Sequence, residues 1–183
     1  MRYIAVIDTE TNYCDEVMSI GVVIADALAL KPLDTRYFVI HPAFQKPAMY
    51  ALVLAEKDMD AVVSYPEALR LVREFLDAYR VQMVFAYNAR FDFGHLPELG
   101  NYRWYDIMRL AAYRQYNHAI PASADCCASG KLRRGYRAED IYRMLSGRFY
   151  HEVHNALCDA IDELEIMRML GHPCESYEIA KIC

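Results

Sequence analysis

The chain has 183 residues, 55% of them hydrophobic, with 20 Lys and Arg against 25 Asp and Glu and a net charge of -5. This balance argues against a broad basic groove of the kind that coats duplex nucleic acid. No apolar stretch approaches a membrane span and the N-terminus carries no leader pattern, so a soluble, intracellular, cytoplasmic protein with no membrane partner is expected. Without linker, repeat or composition break, residues 1–183 are expected to form a single domain.

The first element is the apolar run Tyr3 to Asp8, a pattern typical of a strand buried on both faces. It runs into Asp8-Thr9-Glu10. Side chains at i and i+2 of a strand share a face, so Asp8 and Glu10 would project side by side, roughly 6 to 7 Å apart. Two such buried charges repel unless a cation or proton lies between them. Hard oxygen ligands favour Mg²⁺ or Mn²⁺ over zinc. The same residues also suit a strand that ends at Ile7, with Asp8 to Glu10 in a solvated turn.

Strands are next expected over Val17 to Ala25 and Thr35 to Ile40, joined by connections short enough for an antiparallel meander. Pro66 to Tyr79 places Leu69, Val72, Phe75 and Leu76 at helical spacing, a crossover helix before a strand over Gln82 to Ala86. The sheet is therefore mixed, with the first strand central. Asn88 to Leu96 reads as a turn into a short helix stopped by Pro97, with Asp92 in its first turns beside the sheet.

A helix is expected over Tyr105 to Gln115, then irregular chain from Asn117 to Arg137. That stretch ends in the basic segment Lys131-Leu132-Arg133-Arg134-Gly135-Tyr136-Arg137. Arg133, Arg134 and Arg137 are candidate phosphate contacts and Tyr136, or a neighbouring aromatic, a stacking platform for a base. A solvated loop explains the same residues. The six cysteines, at 14, 126, 127, 158, 174 and 183, lack paired zinc spacing and read as reduced thiols. A metal site from His118, Cys126, Cys127 and His172 or Cys174 matches no regular zinc pattern.

Further helices are expected over Ala138 to Ser146 and Asn155 to Leu170, the latter with Asn155 as N-cap and Gly171 as C-cap. His154 and Asp159 would stand about 140° apart if both were helical. His154 is therefore expected on the loop before the helix, as a base, and Asp159 on its second turn, as a ligand. His151-Glu152-Val153-His154 is not the zinc-protease helix, whose histidines are four apart. Asp162 and Glu163, one turn beyond Asp159, read as a solvated helix face.

Asp8-Thr9-Glu10, Asn88-Ala89-Arg90-Phe91-Asp92 and His154-Asn155-Ala156-Leu157-Cys158-Asp159-Ala160 resemble, in order and separation, the three motifs of the DEDDh (DnaQ-like) 3'-5' exonucleases. The resemblance extends over nearly the whole chain. It implies the α/β ribonuclease H-like three-layer fold, a mixed sheet of a three-stranded antiparallel meander plus parallel strands, flanked by helices. It implies an enzyme that hydrolyses terminal phosphodiester bonds of single-stranded DNA or RNA 3' ends, releasing nucleoside monophosphates with two divalent ions, Mg²⁺ or Mn²⁺. Asp8, Glu10 and Asp159 would hold the first ion, Asp8 would bridge to the second, and Asp92 would support the second directly or through water. His154 would be the general base, suited by its ordinary pKa near 6.5; His151 lies too far from Asp159 to match. Thr9, Thr11, Asn88 and Phe91 would contact substrate with the basic segment. Tyr87 stands where relatives often carry histidine, and no glycine follows Thr11, departures that touch substrate preference. A proofreading or processing module docked to a polymerase is the alternative, and a small-molecule phosphatase a weaker third.

Overall fold

The opening apolar run forms strand β1 (Tyr3–Thr11), in which Ile4 to Ile7 are completely buried. The protein's structure, a computed structural model, describes residues 2–56 and 59–183. Strands β2 (Val17–Asp26) and β3 (Pro32–Ile40) continue antiparallel, the expected meander. Strand β4 (Ala61–Val63) lies parallel to β3, and helix α1 (Tyr65–Ala78) then carries the chain to β5 (Met83–Ala86), parallel to β1. Helix α2 (Arg90–His95) leads to β6 (Arg103–Asp106), parallel to β5. The six-stranded sheet runs β4-β3-β2-β1-β5-β6, with β1 in its interior as expected.

Helices α3 (Met108–Ala111), α4 (Ala138–Ser146) and α5 (Ala156–Leu170) complete the described chain with a final 3-10 stretch over Cys174–Ala180. Two cores sandwich the sheet. Leu69, Val72, Phe75 and Leu76 of α1 pack on one face, and Leu110, Ile141, Ala160 and Leu164 from α3, α4 and α5 on the other. This is the mixed three-layer α/β arrangement that the motifs imply.

Two expectations need correction. The helix over Tyr105 to Gln115 is instead the end of β6 followed by the four-residue α3. Trp104 and Tyr105 point into opposite cores, the period of two that a strand beside β5 imposes. Strand β4, absent from the sequence reading, is short and half exposed, so it carries no strong apolar pattern. Between α3 and α4 the chain is irregular, as expected, held by single bridges such as Tyr113 to Lys131.

The caps of α5 act as the sequence suggests. The Asn155 side chain accepts from the Cys158 N–H at 3.2 Å, and Gly171 ends the helix with φ 69°. No helix among the described residues is long and apolar enough to cross a membrane.

Candidate active site

Strand β1 continues past Ile7, so Asp8 and Glu10 do lie two apart on one strand rather than in a turn. Asp92 comes from the first turn of α2, and the Thr9 N–H and hydroxyl donate to its Oδ1 at 3.0 and 2.8 Å. Asp159 comes from the first turn of α5 rather than the expected second, because the helix begins only at Ala156, after the Asn155 cap. Glu10, His154 and Asp159 each bring one ligand atom to within 4.8 Å of the others.

Burial raises every carboxyl in this cluster. Asp8 is pushed well above the ordinary carboxylate range by desolvation, then by Asp92, Glu163, Asp159 and Glu10. Glu10 rises to about 7, through desolvation and the charge of Glu152. Asp159 is raised by desolvation and by Glu152 and Glu10. Asp92 is raised by desolvation against the opposing pull of the Thr9 hydrogen bonds. Asp159 Oδ1 is buried with no hydrogen-bond partner. An orphaned carboxylate oxygen among other acids suits a hard divalent cation.

His154 stands just before the Asn155 cap with φ 60°, a left-handed conformation uncommon outside glycine. It is off the helix, as the spacing to Asp159 requires. Its ring stacks on Tyr50, centroids 3.8 Å apart and planes 16° from parallel, while its Nδ1 lies 4.0 Å from Glu152 Oε2. Desolvation, helped by the nearby His151, lowers its pKa below the ordinary histidine value. A neutral imidazole beside acidic oxygens can accept a proton at neutral pH.

Solved structures share this architecture. One is a full-length 3'-exonuclease, with a TM-score of 0.66 and 17% identity over 94% of this chain and 83% of that one. Another is the nuclease domain of 3'hExo, a DEDDh family member bound to rAMP, with a TM-score of 0.64 and 18% identity over 94% of each chain. The chain has the ribonuclease H-like fold of the DEDDh exonucleases. Escherichia coli exonuclease I in complex with a dT13 oligonucleotide is also similar, with a TM-score of 0.66 and 11% identity over 96% of this chain. The chain spans only 42% of that larger protein. No family model and no curated protein sequence matches the chain.

On this fold the expected substrate residues divide. Thr9 is buried and its hydroxyl is committed to Asp92, so it faces a carboxylate rather than open cleft. Thr11 ends β1 half-buried, at an irregularity in its pairing with β2. Asn88 is exposed with φ 59°, and Phe91 is 41% exposed. Phe91 lines an open groove of about 980 Å³ with His41, Tyr65, Arg90 and His95. None of Asp8, Glu10, Asp92, His154 or Asp159 lines it; it adjoins the acidic cluster through α2.

The basic segment is exposed at Arg133, Arg134, Tyr136 and Arg137. Arg133 already pairs with Asp125 at 3.3 Å, and Lys131 Nζ lies 4.8 Å from the Tyr136 ring centre. The charge of Arg137 acts on Glu152 and Tyr50, which stand beside His154. The Tyr87 hydroxyl donates to the Tyr136 carbonyl, tying this segment to the turn that leads into α2. Cys126 and Cys127 are half-buried free thiols, and His172 Nε2 is engaged with the Tyr116 carbonyl at 2.7 Å.

Glu163 requires a correction. Expected on a solvated face, it is 3% exposed and faces the acidic cluster. Four residues of helix leave it only about 40° round from Asp159, so an inward Asp159 carries Glu163 inward too. Asp106 was also missed. Its Oδ1 accepts from the N–H groups of Asn88 and Met108, each at 3.0 Å, which pins the turn that presents α2 and Asp92. An acid at a strand end just before a helix was the signal.

Proposed function

We propose that this chain is a metal-dependent 3'-5' exonuclease that hydrolyses the terminal phosphodiester bond of single-stranded DNA or RNA and releases nucleoside monophosphates. The observation that carries the reading is the convergence of Glu10, His154 and Asp159, from the two ends of the chain, to within 4.8 Å. The similar folds belong to proteins described with rAMP and with a dT13 oligonucleotide, which supports a nucleic-acid end as substrate.

In this reading Asp8, Glu10, Asp92 and Asp159 would hold two divalent ions, Mg²⁺ or Mn²⁺, with Asp8, Glu10 and Asp159 serving the first and Asp8 and Asp92 the second. Bound ions would supply charge stabilisation for both the attacking and the leaving oxygen. His154 takes the proton of the attacking water, its lowered pKa keeping it neutral and ready at pH 7. The Tyr50 stack holds the imidazole at its angle. Thr9 acts through Asp92 by fixing that carboxylate. Thr11, Asn88 and Phe91 line the approach, and Arg133, Arg134, Tyr136 and Arg137 grip the strand behind its end. A net charge of -5 is compatible with this, because an end-specific enzyme holds few nucleotides and its ions offset the acids.

The decisive experiment offers 3'-labelled and 5'-labelled DNA and RNA oligonucleotides, single- and double-stranded, with Mg²⁺, Mn²⁺ or chelator. Stepwise shortening from the 3' end with ions, and none with chelator, is expected. Intact oligonucleotides under every condition would overturn the proposal. The alternative, a module docked to a polymerase, would instead appear as stable co-purification without independent turnover; no observation favours it over the enzyme.

A further inference from the structure

The apolar side chains around Glu163 on α5, Ala160, Leu164, Ile166 and Met167, are all buried, and a residue chosen for packing there would be another of the same kind. A carboxylate stands there instead. The Tyr87 N–H at the end of β5 donates to it, yet its Oε2 is buried with no hydrogen-bond partner. The charges that weigh on it most are Asp92, Asp159 and Glu152, all acidic. A buried carboxyl among like charges, with an oxygen left over, is tolerated only if it holds a proton or if a cation comes to it.

The cluster also has two sides. Glu10, Asp159 and His154 form the outer one, and Glu152 is the charge that acts most strongly on both Glu10 and Asp159. On Asp8, by contrast, Asp92 and Glu163 act more strongly than Asp159 and Glu10 do. Asp92 on α2 and Glu163 on α5 are only 2% and 3% exposed, and both are close enough to Asp8 on β1 for their charges to act on it, so these three make the enclosed, inner side of the cluster.

We propose that Glu163 is a fifth carboxylate of the metal cluster, a positioning residue at its inner wall that strengthens divalent-cation binding on the Asp8 and Asp92 side. This rests on the reading of the chain as a metal-dependent nuclease, and no step of the chemistry passes through Glu163 itself. Carboxylates that support the ligands of a metal site commonly change its affinity ten- to a hundredfold when removed.

The test is direct titration of metal-free protein with Mn²⁺, free ion read by electron paramagnetic resonance, alongside thermal melts with and without Mn²⁺. The wild type is expected to bind two ions. Glu163→Gln, which keeps shape and removes charge, should weaken one of the two by about ten- to a hundredfold and leave the other near its original affinity. It should also melt no lower than wild type when metal-free, while its Mn²⁺-induced rise in melting temperature shrinks. Glu163→Leu should repeat the loss of affinity and provides a folded apolar variant if the amide is poorly tolerated. A merely structural glutamate would give the opposite pattern, a lower metal-free melt with an unchanged Mn²⁺ response, and that result overturns the proposal. Wild-type affinity at both sites in Glu163→Gln overturns it as well. If the wild type itself binds no Mn²⁺, the nuclease reading fails first, an outcome distinct from a variant that binds as wild type does.

Discussion

Gly21 and Ala156 are in backbone contact: a Cβ on Gly21 would lie 2.2 Å from the Ala156 carbonyl oxygen. Gly21 is also the partner of Asp8 across the β1 and β2 pairing. The start of α5 therefore rests on the sheet beside Asp8, and this depth lets Asp159 and Glu163 reach carboxylates on β1. Gly21→Ala must lift the helix, because the obstruction is backbone and cannot rotate away. We expect a stability loss of about 1 to 3 kcal/mol and a fall in turnover of at least about a hundredfold, since misplacement by an ångström at a reacting centre costs that much. Thermal melts and oligonucleotide turnover check this; wild-type values for both would show that α5 is not seated by that contact.

Stability without metal should depend on pH in a definite direction. Glu10 is raised from the ordinary carboxylate range to about 7, and Asp8, Asp92, Asp159 and Glu163 are raised as well, burial being the first cause in each. A raised folded pKa means the fold favours the protonated form. That contribution is complete below about pH 4 and is lost as pH climbs through about 7. Metal-free protein should accordingly melt lower at pH 8 than at pH 5.5, and chelator should lower the melting temperature of the metal-loaded protein more at pH 8. A flat or rising metal-free profile over this interval would contradict the assignment of these acids to one buried cluster.

His154→Ala removes the proton acceptor but leaves the carboxylates. Turnover should drop by about 10² to 10⁴, the usual range for a general base, with Mn²⁺ binding reduced far less. Because its pKa is lowered by burial, the acidic limb of the wild-type turnover profile at saturating Mn²⁺ should fall below 6.5. A limb well above that value would point to a different base. Tyr50→Ala, which removes the stacked ring, should lower turnover, and Tyr50→Phe should restore it.

Charge neutralisation of the segment before α4 separates binding from chemistry. Changing Arg133, Arg134 and Arg137 together to Gln should weaken oligonucleotide binding and reduce its salt dependence, by about 0.7 in the logarithmic slope for each lost phosphate contact. Arg137→Gln alone should matter more than Arg133→Gln, because Arg137 acts on Glu152 and Tyr50 whereas Arg133 is held by Asp125. Equal affinity and slope in the triple variant would remove the segment from the substrate path.

The sequence by itself determined the strands of the meander, the α1 crossover, the limits of α4, the caps of α5 and the order of the acidic motifs. Each is written locally, in apolar period, capping side chains and spacing, and needs no knowledge of neighbours. Only the tertiary structure decided which way ambiguous segments face. Tyr105 reads as the start of a helix until β5 offers a strand partner and the two cores draw it and Trp104 to opposite faces. Glu163 reads as a solvated acid because α5 carries charged residues on more than one face, and its inward turn follows from where Gly21 allows the helix to lie. Thr9 likewise reads as a substrate contact until α2 brings Asp92 beneath its hydroxyl. Local pattern encodes the period of an element, while the environment of each side chain is set by what packs against it, which is a property of the assembled layers.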